Sequence, residues 1–495
     1  VGDPGETGTG SEQGDKTMRT HTSAFRRLAV VATALAALTT AATGCSSDDD
    51  DTTSTEAGSS TTAAGGGGDG GGAVLRVPED HESIQAAVDA AEPGDLVLVG
   101  KGVYEEAVDV TTEDITIRGV DRNEVILDGG FELENGIRVL DTDGVVVENM
   151  TARNYVSNGF YWTGSDRYRG SYLTAYRNGD YGIYAFDAYH GQFDNSYGSG
   201  SPDAGFYIGE CFECDAVLDN VVSEYNGLGY SGTNSGGELY IVNSTFRNNR
   251  AGIVPNSGSY ELCYPGRSNV IVGNIVHDNN YLDGPGIDVS LLAQGNGILL
   301  AGSINNIVER NLVYNHDRAG IAAVPFPEED ASDTPPAADE LDVPCEETRD
   351  DELPEEPVGL VLWNATGNRI AGNVVEASGL ADLASGTIAL DGGLTTAQLD
   401  NCFSGNTFAT SAPTDLETLA PCEGEGSGGD FEAGAFDLMA LMAQQPPKPP
   451  KDSYKDTPEP APQESMPDAE TAPYARFDGP EKPDVDAIEV PAKPA

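Results

Sequence analysis

Gly136-Ile137, Gly159-Phe160, Gly182-Ile183, Gly205-Phe206, Gly229-Tyr230 and Gly252-Ile253 recur at spacings of 23, 23, 23, 24 and 23 residues, and the stretch 136–251 that they punctuate decides the fold. A period in this range belongs to a solenoid: each unit is too small to bury its own apolar face, and only stacking on neighbours makes a core. Within a unit the alternation is that of strands. In Gly182–Asp187, Ile183 and Ala185 point one way and Tyr184 and Phe186 the other. The units hold β-branched and aromatic runs, many Gly and Asn, no helix-length periodic segment and no Leu ladder of the leucine-rich kind. The remaining reading is a parallel β-helix, all-β, with short strands joined by turns.

Asn149, Asn195, Asn220, Asn243, Asn274, Asn311 and Asn373 recur just past mid-repeat, as expected if stacked amides form a hydrogen-bonded ladder at one turn of successive coils. On these residues the chain resembles the pectin-lyase-like superfamily of single-stranded right-handed parallel β-helices. Its entry is similar too: Ser83-Ile84-Gln85-Ala86-Ala87-Val88, then Pro93-Gly94-Asp95-Leu96-Val97-Leu98-Val99 and Gly102-Val103-Tyr104, which the resemblance makes an N-terminal capping helix and first coil. The resemblance covers residues 75 to 410. It implies a fold and leaves function open, because the superfamily holds lyases, hydrolases, epimerases and non-enzymes.

The 82 acidic and 26 basic residues give a formal charge of −56, which keeps a surface protein soluble and disfavours nucleic acid as a partner. Residues 1–17 read as an upstream extension and 18–45 as a signal peptide: Met18, a basic region at Arg19, Arg26 and Arg27, and an apolar segment from Leu28 to Ala42 too short for a comfortable membrane span. It ends Ala42-Thr43-Gly44-Cys45, which resembles the lipobox of bacterial lipoproteins. That resemblance implies lipidation of Cys45, hence a lipid-anchored protein on the extracytoplasmic face of the cell membrane. The plainer alternative is a secretory signal with a buried Cys. Without Cys45 six cysteines remain, an even number in an exported chain: Cys211, Cys214, Cys263, Cys345, Cys402 and Cys422. Six permit fifteen connectivities; proximity favours Cys211–Cys214 and Cys402–Cys422, leaving Cys263 and Cys345 to tie two loops.

Residues 46–74 read as a flexible Gly/Ser/Thr/Asp tether. A helix over 82–91 would cover the open first coil, and strands follow at Leu96–Val99, Ile115–Ile117 and Val125–Leu127. The β-helix domain is assigned to 75–422. It is interrupted near Cys263 and Tyr281–Gln294, and by an acidic, Pro-rich insertion over 325–357 expected to project as a loop. Residues 423–443 are expected to cap the last coil, with a helix over Asp430–Ala443, and 444–495 to be a disordered acidic tail.

Equivalent positions of a β-helix stack about 4.8 Å apart, so chemistry is sought in columns. The third position holds Arg138, Tyr161, Tyr184 and Tyr207. Three outward phenols make either a platform for sugar rings or an aromatic ladder that stabilises strand pairing. The sixth position holds Asp141, Asp187 and Glu210; the ninth holds Arg167, His190 and Glu213, with Asp166, Tyr168, Arg169 and Tyr189 beside them. A uronate lyase or epimerase needs a cation on the sugar carboxylate, a base for the α-proton and an acid for the other face, roles open to Arg167 or Arg169, His190, and Tyr184 or Tyr207. A hydrolase needs paired carboxylates, here Asp187 and Glu210. The bland alternative is a row of solvated turn residues. His316-Asp317-Arg318 echoes part of the Asp-Pro-His-Asp motif of alginate epimerases but follows Tyr314-Asn315, and His277-Asp278 occupies a similar turn, so a turn of the repeat is the preferred reading. No metal or cofactor is assigned; Ca²⁺ enters by analogy with lyases of the superfamily, and no loop matches a Ca²⁺ pattern. The expected protein is a monomer that binds an extracellular polysaccharide, with lyase or uronate epimerase-like modification as the enzymatic version. The alternative is a non-catalytic carbohydrate-binding or interaction module.

Overall fold

A computed structural model describes residues 72–345, 357–388, 394–428 and 436–494. The signal peptide, Cys45 and the tether fall outside these residues. The chain winds as a right-handed parallel β-helix whose coils lay one strand in each of three sheets, of 12, 10 and 11 strands, here A, B and C. One coil passes from Arg169–Ser171 in sheet A through Thr174–Tyr176 in B to Tyr181–Tyr189 in C. The Gly-plus-apolar marker opens the sheet C strand. Its apolar residue faces inward, stacking Ile137, Phe160, Ile183, Phe206, Tyr230, Ile253, Ile298 and Ile321 in register, each at most 1 % exposed. At about 25 cal/mol per Å² of apolar surface removed from water, this continuous column is what each isolated coil would lack.

Corners are made by single residues in the left-handed region. Between sheets C and A stand Asp114, Gly144, Arg167, His190, Asp215, Glu238, Ser268 and Asn305, and between A and B stand Asn149, Tyr172, Asn195, Asn220, Asn243, Gly273 and Arg310, all with φ between 45° and 71°. This divides the Asn series of the sequence into two columns. Asn149, Asn195, Asn220 and Asn243 are left-handed corners, a conformation Asn tolerates better than most residues. Asn274, Asn311 and Asn373 lie one position further on and point inward, each amide donating to the next, at 3.0, 3.0 and 2.9 Å, ending on Asn406. Two parallel ladders do the same inside other corners: Asn269, Asn306, Asn368 and Asn401, and Asn226, Asn249 and Asn279.

At the N-terminal end the helix Ile84–Ala90 covers the first coil with Ile84, Ala87 and Val88 buried; Ser83 caps it, its Oγ accepting from the Ala86 N–H. A strand at Val74–Val77, ahead of this helix, opens sheet A by pairing with Leu96–Val99. The strands expected at Ile115–Ile117 and Val125–Leu127 sit at Thr116–Gly119 and Val125–Asp128. The excursion after Tyr281 contains the helix Asp288–Ala293. The acidic insertion departs from expectation: Phe326–Ala331 is a strand, paired antiparallel with Gly359–Trp363. Its Glu328 turns inward and accepts from the Ser259 N–H, the Ser259 hydroxyl and Trp363 Nε1, so charge-assisted bonds offset the cost of burying an acid. Cys211–Cys214, Cys263–Cys345 and Cys402–Cys422 are disulfides, with Cα separations of 4.9, 5.1 and 4.7 Å. The C-terminal helix is shorter than expected, Leu438–Met442, while residues 429–435 lie outside the described set.

The tail also departs from expectation. Instead of being disordered, residues 443–494 lie against the coils as an extended strap with two short 3₁₀ turns. Its composition is too poor in apolar residues to build a core of its own, but its carbonyls find donors on the solenoid: Arg177 Nε donates to Thr457, Arg122 to Glu464 and Arg118 to Ala472. Composition reports what a segment can bury, and says nothing of donors waiting on another surface.

Candidate functional site

Tyr161, Tyr184 and Tyr207 do share one outward column of sheet C, beside Arg138 on the preceding coil. Their rings follow the helix axis with centroids 5.0 and 4.7 Å apart. Only Tyr161 is half-buried; Tyr184 and Tyr207 are 2 % and 1 % exposed. The open platform expected of three phenols is therefore reduced to one ring at the rim, with Arg138, Thr163 and Phe186 half-buried around it. Beyond Tyr207 the same column continues as Ser231 and Val254. There the outer face becomes a small apolar cavity, where Val254 and Leu299 face Phe326 and Leu438.

Around the buried end of the file stand groups that the spacing of the repeat does not reveal. The Tyr207 hydroxyl donates to Glu261 at 2.6 Å, and the Tyr181 hydroxyl to Asp203 at 2.6 Å. Tyr181 also packs on Tyr184 and Tyr207, at 4.5 and 5.0 Å. Burial raises the Asp203 carboxyl to about 8, with nearby Asp180 adding to the effect, and raises Asp180 itself to about 6. Burial, then the neighbouring Glu210, holds Glu261 well above the carboxylate range. The same desolvation lifts the phenols of Tyr181, Tyr184 and Tyr207. At neutral pH the phenols and the Asp203 carboxyl thus keep their protons and serve as O–H donors. Asp203 and Tyr181 lie just ahead of the apolar marker of their coils, where the repeat varies, and Glu261 comes from an excursion without register. A carboxyl beside the repeated glycine was the one signal available.

Asp187 and Glu210 occupy one column, with Gly164 before them, and both adopt left-handed φ. Glu210 is buried and accepts from the Leu262 N–H, whereas Asp187 is half-buried with the Tyr189 hydroxyl at 3.4 Å. The ninth position is realised only in part. Arg167 and His190 are neighbours at the corner after sheet C, but the next residue in register is Asp215, because the turn closed by Cys211–Cys214 displaces Glu213 from the column. Arg167 pairs with Asp114 at 2.9 Å; His190 is exposed, with Nδ1 2.5 Å from Asp166 and Nε2 3.8 Å from Asp215.

The structure does not bring His190 to the tyrosines. His190 stands six residues beyond Tyr184, past the left-handed Asp187, and its ring nitrogens face Asp166 and Asp215. The arginines of these coils have structural partners: Arg138, Arg153, Arg167 and Arg169 bind Asp109, Asp128, Asp114 and Asp194. His316 lies inside the corner as the next member of the Asn226–Asn249–Asn279 column, 3.2 Å from Asn279 Nδ2, and burial lowers it to about 3. It replaces a ladder amide and is remote from the file. Among the described residues no group of three or more His, Cys, Asp or Glu is arranged to hold a metal ion.

Winding and stacked core define a right-handed parallel β-helix, and an aromatic–carboxyl nest lies on one face of it. The sequence matches the family described as right handed beta helix region over residues 102–262 and 158–325. No curated protein matches it. Among solved structures it is similar to the A-module of the mannuronan C-5 epimerase AlgE4 of Azotobacter vinelandii, with a TM-score of 0.43 and 14% identity over 72% of this chain and 96% of that one. It is similar to the pectate lyase Pel9A, with 0.37 and 13% over 80% and 90%, and to an alginate lyase from Paenibacillus, with 0.30 and 15% over 63% and 98%. At these scores the likeness assigns no residue a role.

Proposed function

We propose that the protein binds an extracellular polysaccharide on the outer face of sheet C at the rim formed by Tyr161, with the buried Tyr184 and Tyr207 backing that ring. The observation that carries this reading is the coincidence, on one face, of axially stacked phenols with the Tyr207–Glu261 and Tyr181–Asp203 pairs. Sugar rings offer flat C–H faces and rims of hydroxyls, and a nest of aromatic rings and O–H groups matches both. Modification is the enzymatic extension. Asp203, raised to about 8, keeps its proton at neutral pH and suits a general acid, while the phenols, lifted above their ordinary range, serve as donors before they serve as bases. This chemistry favours binding over a tyrosine-initiated lyase reaction. The test is a panel of polysaccharides offered to the purified protein, with affinity measured together with unsaturated-uronate absorbance and the uronate composition and length of the recovered chains: absorbance marks a lyase, changed composition without absorbance an epimerase, and binding that leaves the chains unaltered a recognition module.

For location we propose the lipid anchor at Cys45, supported by the lipobox resemblance and the tether after it. No helix among the described residues is long and apolar enough to cross a membrane. Cys45→Ser should move the protein from the membrane fraction to the medium; unchanged fractionation would remove the anchor.

A further inference from the structure

The C-terminal strap changes character at Ala469. Up to that point it is fastened by buried Tyr454, Thr457 and Ala469, at 4 %, 2 % and 5 % exposure. Beyond it, no residue of 470–494 is buried and none joins a sheet. A segment with no buried side chains and no ladder bonds belongs to the low-stability end of a fold.

The surface beneath this arm is nonetheless complementary to it along its length. Arg118, Arg167 and Arg310 donate to the carbonyls of Ala472, Phe477 and Val485. In return the arm's Arg476 reaches Asp114 at 3.3 Å, Lys482 reaches Asp215 at 3.1 Å and also Glu238, and Lys493 reaches Glu376 at 3.3 Å. The arm's cations are 56%, 43% and 54% exposed, so each pair contributes little and is screened by salt. The groove is firmer than its occupant: Arg118 is 2% exposed and held by Glu148 at 2.7 Å.

We propose that this groove accepts the arm of a second copy in place of its own, giving an exchanged-arm dimer hinged after Ala469. The arm itself argues for that occupant, because its cations and carbonyls are the ones that the groove reads. Fully extended, residues 470–494 reach about 80 Å, enough to cross to a neighbour. Reciprocal exchange keeps every arm contact in both molecules and closes on a two-fold axis, so its cost is the hinge and the loss of free motion. Charge sets the condition. At a formal −56 two copies repel, and added salt screens that repulsion while weakening the arm's pairs equally at home and away.

The test uses two full-length variants, Glu238→Cys and Lys482→Cys, whose parent side chains pair in the structure. They are mixed at high salt and joined by a short bis-maleimide, which replaces the length of the lost Glu and Lys side chains, and the product is read on a denaturing gel. The double variant in one chain must close within the molecule. The mixture should give a covalent dimer that neither variant gives alone, lost when excess synthetic peptide of residues 470–494 competes. A mixture that stays monomeric while the double variant closes overturns the exchange. A double variant that fails to close overturns it too, since the arm then does not occupy the groove.

Discussion

Tyr161 and Tyr184 are neighbours in one column, yet only Tyr161 meets solvent, and that difference governs what each substitution should do. Tyr161→Ala removes a stacking surface at the rim and should weaken glycan binding by about 1 kcal/mol, roughly fivefold, in a calorimetric titration. Unchanged affinity would detach the file from binding. Asp203, raised to about 8, holds a proton that the unfolded chain has released above about pH 4. Stability should therefore fall as pH rises from about 4 to 8, by at most about 1.4 kcal/mol per pH unit. Asp203→Asn should remove that slope and leave stability at pH 4 unchanged; urea titrations across this range check it. His316 has the opposite sign. Lowered to about 3, it stays neutral in the fold while the unfolded chain takes up a proton below about 6.5. Stability then falls as pH falls through that window, by about 2 kcal/mol between pH 6.5 and 5. His316→Asn, which restores the amide of its ladder, should abolish this loss and change little at pH 7. At this scale the sequence led correctly to the tyrosine column and to a turn role for His316. It could not show that Tyr184 and Tyr207 are buried, because the groups packed on them, Glu261 above all, come from an excursion that no periodicity places.

Elements were legible where a pattern repeated and obscure where it broke. Alternation located the sheet C strands, and Ser83 followed by Ile84, Ala87 and Val88 located the capping helix. The Asn residues illustrate the limit. Asn243 and Asn274 look equivalent in sequence, but Asn243 is a left-handed corner and Asn274 an inward amide one position on, a slip that leaves the composition of the turn unaltered. The distinction has consequences. Asn311 accepts from Asn274 and donates to both Asn373 and the Ile271 carbonyl, so Asn311→Ala should strand buried partners and cost on the order of 3 kcal/mol in urea unfolding. Asn243→Gly, which suits a left-handed corner, should be nearly neutral. Equal costs at the two sites would contradict the separation of columns. At the start of the acidic insertion, Phe326–Ala331 is a strand and not a projecting loop because Glu328 is stabilised by partners distant in the chain, Ser259 and Trp363.

On the scale of the whole molecule, the period of the repeat foretold the winding, the stacking of the core and the columns on which the site was sought. Long-range covering escaped it: the strap, the paired hairpin and the excursion carrying Glu261 are single features without a repeat. The formal charge of −56 gives an anionic or neutral polysaccharide no long-range attraction, so such a ligand is held by short-range stacking and hydrogen bonds, which again directs attention to the sheet C face. The most direct measurement titrates a polysaccharide panel against the wild-type protein and Tyr161→Ala in parallel. Binding of at least one polysaccharide by the wild type, weakened about fivefold by the substitution, is the predicted result. Binding that is identical in the two proteins, or absent across the panel, would contradict the assignment of the tyrosine file as a glycan site.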